Sequence, residues 1–182
     1  NDLNGDGTQD AGESGIGGII VSLTHGGTTV TTTTAGNGGY IFTNVAQGSY
    51  DVSTGLPAGY VRTTASPVPV SVAPAGSASA SFGFQGIGTV SGVAFNDLNG
   101  NGSQDASESG IGGVIVSLTR GGTTLNTTTA GNGSYIFTDV AEGDYDVSTN
   151  VPAGYMRTSP SPVGVSVAPG GSGSANFGFQ GI

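Results

Sequence analysis

The chain has 182 residues and a formal net charge of −9, and only 8% of its residues are charged. It contains no Lys and only three Arg, which argues against binding to nucleic-acid phosphates or to an anionic membrane surface. Cys is also absent, so neither a disulfide framework nor a thiolate metal site is possible.

An acid-rich segment opens the sequence and returns 95 residues later. It is DLNGDGTQDAGE at 2–13 and DLNGNGSQDASE at 97–108. With Asp2 and Asp97 as position 1, oxygen-bearing side chains stand at positions 1, 3, 5, 9 and 12, Gly stands at position 6, and position 7 supplies a carbonyl, as in calcium-binding loops. The predicted calcium-binding residues are Asp2, Asn4, Asp6, Thr8, Asp10, Glu13, Asp97, Asn99, Asn101, Ser103, Asp105 and Glu108.

The ion in these loops is expected to have a structural role. Both flanks of the second loop are strand-like, so the helix-opening switch of a calcium sensor is not available. The alternative interpretation is a polar turn rich in Asp and Asn that binds no metal.

The two loops differ in charge. Asn101 stands where the first loop has Asp6, so the first loop has four acids and the second has three. The second loop is therefore expected to bind calcium more weakly.

Short apolar runs between turn signals predict β-strands and no helix. Residues 88–95, GTVSGVAF, are predicted as the opening strand of the second copy. The further predicted strands of that copy are 113–119, 123–129, 134–140, 144–150, 163–168 and 174–180. Seven or eight short strands in about 95 residues favour an all-β fold, an antiparallel sandwich of immunoglobulin-like type.

The sequence is an internal repeat. Residues 1–87 align without a gap with 96–182, and about 67 of the 87 pairs are identical. Two domains are therefore predicted, 1–87 and 88–182. Nothing equivalent to 88–95 precedes Asn1, so the first domain is expected to lack its opening strand. Either the sequence begins inside a longer array, or a neighbouring molecule donates the strand.

No constellation for catalysis is visible. His25 is the only His and aligns with Arg120, so no general base is repeated beside the many Ser and Thr. Trp is absent, and the Tyr and Phe follow the repeat, which favours core packing over a sugar-binding platform. A non-enzymatic role is therefore predicted.

Three segments carry a family resemblance. They are GTVSGVAFNDLNGNGSQDASESGIGGVIVSL (88–118), AGNGSYIFTDVAEGDYDV (130–147) and VPAGY (151–155). In these segments the chain resembles the B-type repeat domains of bacterial serine-aspartate repeat adhesins, which are related to the collagen-adhesin B repeats. The resemblance implies a β-sandwich stalk module of extracellular proteins, rigidified by calcium. The family's loop ligands correspond here to Asp2, Asn4, Asp6, Asp10, Glu13, Asp97, Asn99, Asn101, Asp105 and Glu108. Some related pilin domains carry a Lys–Asn isopeptide cross-link, which a chain without Lys cannot form.

Together these features predict a calcium-stabilised structural repeat of an extracellular filament or a bacterial surface adhesin stalk. Near-identical copies suit head-to-tail stacking and self-association into fibres. The alternative is a spacer or carbohydrate-binding module of a secreted multidomain protein. No apolar run approaches the roughly 20 residues of a membrane-spanning helix, so membrane insertion is not expected.

Overall fold

The computed structural model describes residues 1–182 and contains strands and loops but no helix. Gly and the β-branched residues, which are abundant here, disfavour helices, and the β-branched residues favour strands. The chain separates into two compact units, Asn1–Gly86 and Ile87–Ile182. No helix has the length and hydrophobicity needed to cross a membrane.

The first unit has one four-stranded sheet. Its strands are β1 (Ile20–His25), β2 (Thr28–Thr33), β3 (Gly48–Thr54), β4 (Tyr60–Arg62) and β5 (Val68–Val72). The sheet has the order β2-β1-β3-β5 and is antiparallel throughout. The short β4 pairs with the first three residues of the next strand, Phe84–Gly86.

The second unit has two groups of paired strands. Its strands are β6 (Phe84–Asn96, from Ile87 onward), β7 (Ile115–Arg120), β8 (Thr123–Thr128), β9 (Ser134–Ala141), β10 (Gly143–Thr149), β11 (Tyr155–Arg157), β12 (Val163–Val167), β13 (Ser172–Ser174) and β14 (Phe177–Gly181). One sheet, β12-β10-β7-β8, repeats the order of the sheet in the first unit. The other forms around β6, which pairs with β9, β13 and β14.

The all-β fold predicted from the sequence is confirmed, with two differences of detail. β6 is antiparallel to β9 but parallel to β13 and β14, so the sheet around β6 is mixed rather than purely antiparallel. The predicted strand 174–180 is two strands, because the pairing with β6 is interrupted at Asn176, directly after Ala175 N donates to Ser91 O at 3.1 Å. There the amide of Val93 donates to Asn176 Oδ1 instead of to a backbone carbonyl.

The hydrophobic cores of the two units differ in how far they are closed. In the second unit 14 apolar residues form a buried cluster, including Val116 and Leu118 on the inward face of β7. In the first unit the buried cluster contains only Val21, Leu23 and Val52. Buried and more exposed residues alternate in the same way along β1 and β7, so the difference in core closure arises elsewhere in the units.

Candidate metal-binding loops

The two acid-rich segments form two loops of closely similar structure, loop 1 (Asp2–Glu13) and loop 2 (Asp97–Glu108). Loop 2 follows the end of β6 and precedes β7. The predicted sharp turn at position 6 is present in both, since Gly7 has a φ of 83° and Gly102 a φ of 78°. A side chain disfavours such a conformation, and it would also bring a Cβ of Gly102 to 3.3 Å from the carbonyl oxygen of Thr158.

The carboxylate at position 1 lies buried beneath each loop. Asp2 is 1% exposed and Asp97 is fully buried. The Oδ2 atom accepts the amide of position 6 in both loops, at 2.8 Å from Gly7 and 2.7 Å from Gly102. In loop 1 the Oδ1 atom also accepts the amide of Gly5 at 2.7 Å. Position 1 therefore organises the turn, because backbone amides converge on its carboxylate.

These hydrogen bonds keep the buried carboxyls ionised. Burial raises the pKa of Asp2, but the Thr63 side chain and the amides of the loop outweigh burial, so the pKa lies below its usual value. The pKa of Asp97 is lowered in the same way, with Thr158 in place of Thr63. Sequence reasoning missed both threonines. The two threonines occupy the same position in both copies, and this repetition could have identified them.

Positions 3, 5 and 9 meet at one point in loop 1. The Asn4 side-chain amide donates to Asp6 Oδ2 at 3.1 Å and to Asp10 Oδ2 at 3.0 Å. An amide that holds two carboxylates lies where a cation would be attracted to both. The oxygen at the other end of this side chain, Asn4 Oδ1, accepts the backbone amide of Asp6 at 3.0 Å.

Loop 2 brings the same three positions together with one carboxylate fewer. Asn99 Nδ2 donates to Asp105 Oδ2 at 2.7 Å, and Asn101 Nδ2 donates to the same oxygen at 3.0 Å. Positions 3, 5 and 9 thus meet at one point in both loops. Asp105 is the only carboxylate at this point in loop 2.

The Glu at position 12 closes each loop on itself. Glu13 Oε1 accepts the amide of Leu3 at 2.7 Å, and its Oε2 accepts the amide of Asp10 at 2.9 Å. Glu108 makes the same pair of contacts, at 2.8 Å to Leu98 and 2.9 Å to Asp105. The Glu reaches back across the loop, and both of its oxygens accept backbone amides.

Position 7 contributes side-chain and backbone contacts within the loop. The hydroxyl of Thr8 donates to Asp6 Oδ1 at 2.6 Å, and these hydrogen bonds lower the pKa of Asp6. In loop 2 the amide of Ser103 donates to Asn101 Oδ1 at 2.7 Å. These contacts orient position 5 toward the middle of the loop.

A glutamine that the sequence analysis did not select ties each loop to the strand beneath it. Gln85 Nε2 donates to the carbonyl oxygen of Leu3 at 3.1 Å, and Gln180 Nε2 donates to that of Leu98 at 3.1 Å. The sequence feature that could have identified this glutamine is the motif FGFQGI, which both copies share. Each loop is therefore tied to a neighbouring strand by a side-chain hydrogen bond.

The acidic side chains of the loops do not form a preorganised cluster of carboxylates around one point. No three His, Asp or Glu side chains come close enough together to hold a metal as a group. Positions 1 and 12 bind amides, while positions 3, 5 and 9 share a centre of mixed amide and carboxylate groups. The donors are oxygen-rich and suited to a hard cation, so the residues present fit calcium in chemical type.

Comparisons with known proteins all indicate the same family. The profile of the SdrD B-like domain matches residues 1–69 and 88–166. Serine-aspartate repeat-containing protein C of Staphylococcus aureus (strain N315) is 36% identical over 181 residues, which cover 86% of this chain and 18% of that protein. Serine-aspartate repeat-containing protein D of Staphylococcus aureus (strain Newman) is 35% identical over 175 residues, which cover 87% of this chain and 13% of that protein. The chain thus spans less than a fifth of these relatives.

Among solved structures, the Bacillus anthracis TIE protein is similar with a TM-score of 0.51. The match covers 94% of this chain and 32% of that protein, at 16% sequence identity. At this identity the likeness concerns the fold alone.

Proposed function

The chain belongs to the SdrD B-like domain family, and from this premise we propose that it is a calcium-stabilised structural repeat of an extracellular surface protein. Its relatives are named for serine-aspartate repeats, and it corresponds to a small part of each of them. A part that occurs as near-identical copies serves as a stalk or spacer, since each copy adds length without adding a new surface.

The observation that carries the calcium proposal is the meeting of three side chains at one point, which occurs in both loops. In loop 1, Asn4 is held between Asp6 and Asp10. In loop 2, Asp105 draws in two asparagines. The same three positions meet at one point in both copies although their residues differ at position 5, and this recurrence supports a ligand at that point.

The residues that would hold the ion are those at positions 1, 3, 5, 9 and 12, with the carbonyl of position 7. A bound calcium ion supplies positive charge that relieves repulsion among the loop carboxylates. The chain's own residues do the rest. The buried Asp2 and Asp97 set the turn, and Gln85 and Gln180 fasten the loop to its sheet.

Stabilisation by an ion fits the size of the units. A domain of fewer than 100 residues buries only about 60–65% of its chain surface and is marginal alone. A ligand present at about 100 times its dissociation constant adds about 2.7 kcal/mol to the free energy of unfolding. With neither disulfides nor a Lys–Asn cross-link available, the loops are the remaining place for such support.

The proposed repeat has no enzymatic activity, lies outside the cell and associates with copies of itself. No His or Lys base stands repeated near a nucleophile. Head-to-tail contacts between like repeats produce a fibre when they do not close into a ring, and strand donation between molecules is one route to such contacts. Electron microscopy of the purified parent protein tests this. Ordered fibres that loosen in chelator support it, and dispersed molecules that bind a glycan contradict it.

A further inference from the structure

The two sheets that share the same strand order each end in a strand that pairs on one side only. β2 pairs with β1, and β8 pairs with β7, and neither strand has a second partner. In both strands five of the six residues are exposed. β2 and β8 occupy the same place in the repeat, so the same open edge occurs twice in the chain.

The open side of β8 presents a row of backbone hydrogen-bonding groups. At the end of the ladder Thr129 N donates to Val114 O at 3.0 Å, which fixes the phase of the pairing with β7. Because bonded and non-bonded pairs alternate in an antiparallel ladder, every second residue before Thr129 faces away from β7. The residues whose amide and carbonyl groups face the open edge are therefore Thr124, Asn126 and Thr128.

The other edges of the sheets have features that oppose pairing with a further strand. β5 contains Pro69, which lacks an amide donor, and β4, β11 and β13 have only three residues each. β9 bears the exposed Asp139 at a φ of 53°, which interrupts the regular strand. β12 lies against β13, where a Cβ at Gly173 would come to 3.2 Å from Val165 Cβ. β2 and β8 have none of these features, and their registers run without a shift.

The composition of the open edge favours contact with a like strand. TTVTTT at 28–33 and TTLNTT at 123–128 contain no charged residue and no Pro or Gly, which are the usual means of protecting an edge. The neighbouring β7 contains no Asp or Glu, and the nearest carboxylates of this sheet lie on β10. Two strand spacings, about 9.5 Å, separate β10 from the edge, which exceeds the screening length of about 8 Å at physiological salt. Repulsion between two such sheets is therefore largely screened at this edge.

An apolar residue stands near the middle of each open edge, on the side of the sheet that faces the core. Leu125 lies opposite the buried Leu118, and Val30 lies opposite the buried Leu23. Leu125 and Val30 are nevertheless each 51% exposed. A neighbour beyond the edge is needed to bury them further, and a strand with an apolar residue at its own middle provides one.

A second copy of β8 fits this edge in a defined register. Antiparallel pairing about a two-fold axis at Leu125 places this residue opposite itself in the other molecule. The open backbone groups of Thr124 in one molecule then meet those of Asn126 in the other. Leu125 forms a non-hydrogen-bonded pair, in which the Cα atoms lie about 4.5 Å apart and the side chains are close together.

Side-chain hydrogen bonds of the kind that such pairing needs already join β7 to β8. The hydroxyls of Thr119 and Thr124 lie 3.0 Å apart, and Ser117 Oγ donates to Asn126 Oδ1 at 2.7 Å. These four residues share the outer face of the sheet. Thr124 and Asn126 can therefore meet their counterparts across a new ladder with complementary groups, since both carry donors and acceptors.

We infer that the β8 edge is an interface between two molecules of this chain, which pair antiparallel about Leu125 and join their four-stranded sheets into one sheet of eight strands. The β2 edge pairs in the same way about Val30. This lateral contact differs from a head-to-tail contact. It deepens the self-association in the proposed function and rests on it.

The repeat itself favours a second copy of the chain as the occupant. A ladder of six residues is far smaller than the standard protein interface of about 1,600 Å², so one pair of edges binds weakly. A chain with two like edges gains from engaging both, because the second contact forms at a high effective concentration. A copy of this chain offers both edges, whereas a single peptide strand engages only one.

Cysteine cross-linking tests the register directly, because the chain contains no Cys. The 182-residue chain with Leu125→Cys is oxidised with diamide and examined by non-reducing electrophoresis. A disulfide-linked dimer is expected, since a Cα separation of about 4.5 Å lies within the range of disulfides. Thr123→Cys is the matched control, because it is exposed on the same face of the same strand but lies opposite position 127 of the other molecule. It is expected to form a dimer about tenfold or more slowly.

A mixture of two variants provides a second test of the register. Chains with Thr123→Cys and chains with Thr127→Cys are expected to form the mixed dimer, since these positions lie opposite each other. Equal rates of dimer formation by Leu125→Cys and Thr123→Cys would overturn the inference, as would a mixture that gives no mixed dimer.

Charge variants test the interface without a cross-link. Val30→Lys combined with Leu125→Lys places like charges directly opposite each other across both ladders and is expected to abolish lateral association, measured by sedimentation velocity over a concentration series. Thr33→Lys combined with Thr128→Lys changes the net charge equally but lies at the strand ends, outside the paired segment. It is expected to associate like the parent chain. All four positions are exposed, so both variants should fold.

The same chains distinguish edge pairing from the rest of the proposed function. A chain whose melting responds to calcium but which shows no preferred cross-link at position 125 overturns edge pairing alone. A chain that cross-links there in EDTA and melts identically with and without calcium supports edge pairing and overturns the calcium proposal. Association that persists in the Val30→Lys and Leu125→Lys variant overturns edge pairing and retains self-association through another contact.

Discussion

Asn4 donates its side-chain amide to Asp10 Oδ2 at 3.0 Å, and Asn99 stands in the same relation to Asp105 at 2.7 Å. The two residues are six positions apart and meet only because the backbone winds around a common centre. This contact defines the middle of each loop. Calcium is proposed to bind there.

Replacing the position-9 carboxylate is expected to weaken calcium binding. Asp105→Asn leaves no carboxylate among positions 3, 5 and 9 of loop 2, and calcium affinity in such loops follows the number of charged ligands. We expect the calcium affinity of loop 2 to fall about tenfold or more, measured by calorimetry. Asp146→Asn, an exposed change on β10, is the matched control and should leave affinity unchanged.

The two loops are expected to differ in affinity. Loop 1 has Asp6 at position 5 where loop 2 has Asn101, so loop 1 offers one more negative charge. Calorimetry on chains in which only one loop is inactivated, by Asp10→Asn with Glu13→Gln or by Asp105→Asn with Glu108→Gln, should show tighter binding by loop 1. Adding Asn101→Asp should remove most of the difference. Equal affinities in the parent loops would argue against a role for position 5.

Stability without calcium is expected to fall in acid. The pKa values of Asp2 and Asp97 lie below the usual value near 3.8 in the folded chain, so folding favours their ionised forms. Their contribution to the free energy of unfolding is present above about pH 4 and is lost as the pH falls through the folded pKa values. Denaturant unfolding in EDTA between pH 6 and pH 3 measures this. Asp97→Asn should flatten the pH profile of the second unit.

Truncating the same core aromatic in the two units is expected to have unequal effects. Phe177 is fully buried, while its repeat counterpart Phe82 is only partly buried. Phe177→Ala should lower the free energy of unfolding of the second unit by about 3–5 kcal/mol. Phe82→Ala should cost the first unit clearly less, because water already reaches that site. Similar losses in both units would mean that Phe82 is as well buried in solution as Phe177.

Much of the fold could be predicted because the sequence pattern of most strands occurs twice in the chain. Alternation of apolar residues and Gly-Gly turns located β7 and β8 to within two residues. The parallel pairing of β6 with β13 and β14 could not be predicted, because strand direction across a sheet depends on contacts far apart in sequence. The break at Asn176 depends on a single side chain that replaces a backbone acceptor.

The candidate site was predictable in composition but only partly in geometry. The spacing identified the loop residues and the turn at Gly7, where φ is positive. It did not predict that both oxygens of Glu13 bind amides, since a bidentate Glu satisfies either amides or an ion. Gln85 and Thr63 lie more than 40 residues from loop 1 in sequence, and only the fold brings them beneath it.

Metal analysis and calorimetric melting of the 182-residue chain test the central claim most directly. The account predicts that the chain dialysed against millimolar calcium holds two ions and that EDTA lowers the melting temperature of both units. A chain that contains no calcium under these conditions, and melts identically with and without EDTA, would contradict it.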